Sequence, residues 1–156
     1  MRTRSHCKIV FFLLPFLFTP NFCPASFAAE DLKLRPGISF SQDLDNGFPI
    51  LADKLDDVTV EPGRPSLLFF GASGDLNTNR QAKRIVELYR KNKGSGMKFI
   101  IVDVDHATQV AKSLVEKYYH GYIPSEVVLD KDGRKSWSQI GEIDNRLLQV
   151  QIEKVL

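Results

Sequence analysis

From Leu67 onward the chain alternates short apolar runs with amphipathic stretches. Leu67, Leu68, Phe69 and Phe70 lie between Pro65 and Gly71. A run that short and β-prone, flanked by breakers, predicts a buried central strand. Ala82, Ile85, Val86 and Tyr89 then recur at helical spacing. Thr78 and Gln81 stand in capping-box spacing before them, so a helix is expected from near Thr78 to about Asn92. Lys93-Gly94-Ser95-Gly96 stops it, with basic residues in its last turn, where the helix dipole favours them. Phe99 to Val104 predicts a second buried strand. Asp105 is expected to cap a further helix whose apolar face is Val110, Leu114, Val115 and Tyr118. Two strand-then-helix units in series predict a parallel pair joined by a right-handed crossover.

The pattern then changes. Gly121-Tyr122-Ile123-Pro124 leads into the apolar strand candidate Glu126 to Leu129. Asp130-Lys131-Asp132-Gly133 is a hairpin signal, and Lys135 to Ile140 is the return strand. Gly141 breaks it. Asp144 can cap a last helix carrying Leu147, Leu148, Val150, Ile152 and Val155. Upstream of the central run, Gly37 to Phe40 suits a short edge strand, and Asp43 to Gly47 is turn-rich. Pro49 suits a first helical position, with Phe48, Leu51 and Leu55 at helical spacing, so a short helix is expected over Pro49 to Leu55. Val58 to Val60 reads as extended, and Pro62-Gly63-Arg64-Pro65 as a turn. The expected order is β-α-β-α-β-α-β-β-α.

The segment Phe70-Gly71-Ala72-Ser73-Gly74-Asp75-Leu76-Asn77-Thr78 resembles the active-site segment of a thioredoxin. In that family an aromatic strand end runs through Ala-Ser or similar into Trp-Cys-x-x-Cys, which opens a helix. Here Gly74 stands at the tryptophan position, and Asp75 and Thr78 stand at the two cysteine positions. Tyr122-Ile123-Pro124-Ser125 is similar to the family's Ile-Pro-Thr loop, whose proline is cis. The strand, turn and strand that follow resemble those of exported thioredoxins. The likeness covers roughly Gly37 to Leu156. It implies an α/β, thioredoxin-like fold: a central mixed β-sheet flanked by helices on both faces. It also implies a groove bordered by Gly74, Asp75, Leu76, Asn77, Thr78, Tyr122, Ile123, Pro124 and Gly141. In the family, the backbone of the residue before the cis proline pairs with an extended substrate segment. Ile123 holds that position, and backbone pairing needs no particular side chain. The glycine in place of tryptophan implies a wider, less apolar groove.

The N-terminus reads as a targeting segment. Arg2, Arg4 and Lys8 precede the apolar run Ile9 to Phe18, which is short for a bilayer span, and Ser26-Phe27-Ala28 supplies small residues for cleavage. Residues 1–28 are therefore expected to be a secretory signal, 29–36 a loose segment, and 37–156 the folded domain. An uncleaved anchor is the alternative, and would be the domain's one link to a membrane. Export to a periplasm or the extracellular space follows from this reading. The signal carries three of the 21 basic residues and none of the 19 acidic ones. The remainder, with 18 basic and 19 acidic residues, has a net charge of about −1, which gives no footprint for nucleic acid. Both cysteines, Cys7 and Cys23, lie within the signal. Thiol–disulfide exchange needs a thiolate, so the processed domain is not expected to catalyse it.

Other residues invite chemistry but lack its spacing. Asp75 at a helix start is either a contact for a partner, a base, or simply the cap of its own helix. His106 follows Asp103 and Asp105, and His120 lies beyond the next helix; they do not form a compact ligand set, so no metal is expected. Gly71, Ser73 and Gly74 lack the order of a phosphate loop, and no cofactor is expected. Trp137, Tyr118 and Tyr119 suit core packing or a pocket wall. Arg80, Lys83, Arg84, Arg90, Lys91 and Lys93 suit a solvated helix face. The leading expectation is noncovalent binding of an extended peptide or protein, as a chaperone, assembly factor or complex subunit. The alternatives are an enzyme using non-thiol residues around Asp75, and a purely structural module.

Overall fold

The computed structural model describes residues 31–53, 55 and 58–156. The expected signal, residues 1–28, lies outside them. Strands β1 (Lys33–Leu34) and β2 (Ile50–Leu51) pair antiparallel. Then come β3 (Ser66–Gly71), α1 (Leu76–Asn92), β4 (Lys98–Asp103), α2 (Gln109–Tyr118), β5 (Ser125–Leu129), β6 (Lys135–Ile140) and α3 (Asn145–Glu153). The main sheet runs β4-β3-β5-β6. β3 is parallel to β4 and antiparallel to β5, and β6 is antiparallel to β5.

Side-chain alternation divides the core in two. Leu67, Phe69, Phe99, Ile101 and Val128 point to one face, where they meet Ile85 and Val86 of α1 and Leu148 and Ile152 of α3. Leu68, Phe70, Ile100, Val102, Val127 and Leu129 point to the other, against Ala111, Leu114 and Tyr118 of α2. Both faces of β3, β4 and β5 are thus covered, which is why these strands read as continuous apolar runs. β6 is largely exposed, and its sequence is correspondingly polar.

The N-terminal region departs from expectation. Gly37 to Phe40 is not a strand; the edge pairing falls at Lys33 and Leu34, inside the segment expected to be loose. The described residues of Pro49 to Leu55 form no helix. Phe48, Pro49 and Ile50 are all buried, and Ile50 and Leu51 pair with β1. Burial of Phe48 and Ile50 in the core that α1 lines outweighs the helical spacing of Phe48, Leu51 and Leu55. Asp105 does not cap α2. Thr108 does, its hydroxyl accepting the Ala111 N–H at 3.3 Å. This later start turns Val110 to solvent, 57% exposed, and puts Ala111 inward. In α3, Asp144 caps as expected, while Leu147 and Val150 are exposed.

These burials set different costs for similar residues. Leu148→Ala empties a fully buried position and should cost about 2–5 kcal/mol in urea unfolding. Val150→Ala on the solvent side of the same helix should stay within about 0.5 kcal/mol.

Candidate functional site

The register brings four segments to one end of the sheet. Phe70 pairs with Ser125, so the loop leaving β3 and the loop entering β5 lie side by side. Ser125 also pairs with Ile140, and the Gly141 N–H donates to the Pro124 carbonyl at 2.8 Å. Gly71 pairs with Asp103, which brings in the end of β4. The Ile123–Pro124 peptide bond is cis.

Asp75 is the N-cap of α1. Its carboxylate accepts the Thr78 N–H at 2.6 Å, and its carbonyl accepts the Asn79 N–H at 3.0 Å. The expected capping role of Thr78 therefore belongs to Asp75, three residues earlier. Thr78 is buried, its hydroxyl 3.4 Å from the Ala72 N–H it accepts. It points into the fold, so it supports the loop from below. Asn77 and Tyr122 are exposed; Gly74, Asp75, Leu76, Ile123 and Gly141 are half-buried, and Pro124 is buried. The remaining groove residues thus share one surface at the sheet end.

Sequence reasoning missed the strap across this surface. Residues 39–45 run over the first turns of α1. The Asp43 carboxylate accepts the Leu76 N–H at 2.8 Å, Asn79 donates to the Ser39 carbonyl at 3.0 Å, and Arg80 donates to the Phe40 carbonyl at 3.1 Å. A Cβ built on Gly74 would lie 3.7 Å from the Asp45 Cα, and Gly74 has φ +79°. The space beside Gly74 is therefore bordered by the strap. Only the polar, turn-forming character of Asp43 to Gly47 hinted at this segment.

StoA from Bacillus subtilis is similar in structure, with a TM-score of 0.50 at 17% identity over 59% of this chain and 84% of that one. Thioredoxin-2 of a malaria parasite gives 0.52 at 19% identity, over 63% and 89% of the two chains. A thioredoxin of Malassezia sympodialis gives 0.52 at 20%, over 66% and 84%. The fold is thioredoxin-like. No family model matches the chain, and no curated protein does.

On this thioredoxin-like frame the described residues contain no cysteine. Among them no group of three or more His, Cys, Asp or Glu side chains can hold a metal ion. Ser73 donates to Asp103 at 3.3 Å, and Asp103 meets His106 Nδ1 at 3.0 Å. That hydrogen bond, with the nearby charges of Asp105 and Asp45, raises the His106 pKa. His120 stands apart, beside Tyr118, Ser125 and Ile140 in a separate cavity of about 280 Å³. Tyr119 stacks on Phe70 at 5.8 Å, and Trp137 packs against the α1 and α3 side of the core. On the basic face of α1, Arg80 and Arg84 pair with Glu142 at 3.4 and 2.8 Å, and Lys83 lies over the Phe40 ring.

Beneath the loops lies a second residue that the sequence reading passed over. Glu126 on β5 is fully buried, and neither carboxylate oxygen has a hydrogen-bond partner. Burial pushes its pKa up to about 8; the Gln81 amide and the Arg84 guanidinium favour the anion but do not offset the desolvation. The carboxyl is therefore neutral over much of the physiological range. One acid inside the run Ser125 to Leu129 was the available signal.

Two outcomes follow. Asp75→Ala should lower stability by about 1 kcal/mol by urea unfolding, while Asn77→Ala should be close to neutral. Folded Glu126 binds its proton more tightly than the unfolded chain, whose value is 4.5. Its contribution should therefore fall as pH rises from about 4.5 to about 8, by several kcal/mol in all. Glu126→Gln should flatten that part of the stability–pH curve. An unchanged slope in the variant would refute the assignment.

Proposed function

We propose that this protein is an exported thioredoxin-like domain that binds an extended peptide or protein segment without thiol chemistry. It serves as a chaperone, an assembly factor or a subunit of an envelope complex. The observation that carries the reading is the loop pair itself. Ile123 precedes a cis proline at the sheet end, next to a helix start whose cap is Asp75 rather than a thiol. Main-chain pairing at Ile123 depends on backbone position, so it survives replacement of the cysteines. Export is supported by the basic, then apolar, then small-residue order of residues 1–28.

The competing enzymatic reading finds little support in Asp75. Its carboxylate already accepts an N–H of its own helix at 2.6 Å. The hydrogen bonds of the neighbouring Asn79 and Arg80 side chains go to the strap and, for Arg80, also to Glu142. A purely structural module would need no open surface, yet Tyr122 is 64% exposed beside Ile123.

The test is site-directed photocrosslinking in the native host. A photoreactive residue at the exposed Asn77 should capture a discrete protein, and the same residue at the exposed Lys91, at the far end of α1, should not. Capture from neither position, or equally from both, would contradict a binding surface at these loops.

A further inference from the structure

A chain of side chains links the buried Glu126 to the edge of the groove. Glu126 follows the cis proline by two residues. Its carboxyl is buried and neither oxygen is hydrogen-bonded. From α1, Gln81 and Arg84 favour its anion, Gln81 the more strongly. Gln81 is itself fully buried. Its side-chain oxygen accepts two donors, the Ile143 N–H at 2.9 Å and the Arg84 guanidinium at 3.1 Å. Two donors on one atom fix the orientation of the amide, and its Nε2 makes no hydrogen bond. Arg84 also pairs with Glu142 at 2.8 Å, and Glu142 takes Arg80 at 3.4 Å.

Glu142 and Ile143 lie in the turn between β6 and α3. That turn begins at Gly141, whose N–H donates to the Pro124 carbonyl at 2.8 Å. The side chains that hold it from α1 are thus the same two that face Glu126. The sheet adds no charge, since the residues opposite Glu126 are Phe69 on β3 and Gln139 on β6. Asp144 lies within reach of the Arg84 charge, and His120 borders the same cavity as Glu126.

We infer that Glu126 is a proton-controlled hold on the edge of the groove. As a neutral acid it leaves Gln81 and Arg84 on the turn. As an anion it draws both away from Ile143 and Glu142, because a buried carboxylate without hydrogen bonds is costly and these are the donors beside it. The turn that Gly141 ties to Pro124 then loosens. Burial pushes the carboxyl up to about 8, so the turn is held below that pH and released above it. The consequence for a bound segment rests on the peptide-binding reading; the movement of the turn does not.

The experiment is an NMR pH titration of the isotope-labelled full chain, following the Glu126 carboxyl carbon and the Ile143 amide. The two should share one midpoint. Above it the Ile143 amide should lose about tenfold of its protection against solvent exchange, as expected for one lost hydrogen bond. Glu126→Gln, which cannot ionise, should keep Ile143 protected throughout. Glu142→Gln should move the Glu126 midpoint to lower pH, because Arg84 then has one acid fewer to serve. Undiminished Ile143 protection while Glu126 ionises would overturn the inference. So would the same loss in Glu126→Gln, or an unmoved midpoint in Glu142→Gln. None of these readouts needs a bound peptide, so their failure is distinct from a failure of crosslinking at Asn77.

Discussion

Strand β3 has no free surface. It is hydrogen-bonded to β4 on one side and β5 on the other, and Leu67 to Phe70 are 0% exposed. A strand so enclosed can meet solvent only at its ends. The parallel partner β4 and the antiparallel partner β5 then fix which segments surround the C-terminal end: the β3–α1 loop, the cis-proline loop and the turn after β6. The candidate groove is therefore a consequence of sheet register. Nothing in that register depends on a cysteine. The Asp75 cap satisfies the helix start, and the neighbouring main chain follows the register.

The same enclosure explains how much was legible. Runs buried on both faces are short, apolar and bounded by breakers, so β3, β4 and β5 and the hairpin into β6 could be read directly. The face of α1 was equally clear. Legibility failed where the chain buries little. In the N-terminal region a two-residue strand pair outcompetes a plausible helix because Phe48 and Ile50 find the α1 side of the core. Such tertiary burial leaves no local pattern strong enough to see. The start of α2 was misplaced by three residues; at α1 the capping-box spacing of Thr78 misled by three, while Asp75, also read as a cap of its own helix, holds that place. Several polar residues compete for a cap there, and loop geometry selects among them.

The groove was legible as loops but not as a surface. Its segments follow from sequence order and resemblance. The strap over α1 follows from contacts between residues more than thirty apart, such as Asp43 with Leu76 and Ser39 with Asn79. Glu126 belongs to the same class of omission. Its importance comes from what surrounds it, since an acid on a strand is ordinary until burial removes it from water. Both features bear on what the surface can do. The strap narrows access to the helix start, and a neutral carboxyl beneath the loops removes a charge from the region.

The central proposal is that the thioredoxin-like frame works without thiol chemistry. Insulin disulfide reduction tests it most directly, using the full chain with Cys7→Ser and Cys23→Ser. The account predicts no rate above that of the chemical reductant alone. It predicts measurable catalysis once Asp75→Cys and Thr78→Cys are added, because the frame that would hold the two sulfurs is already in place. Catalysed turnover by the chain that keeps Asp75 and Thr78 would contradict the account.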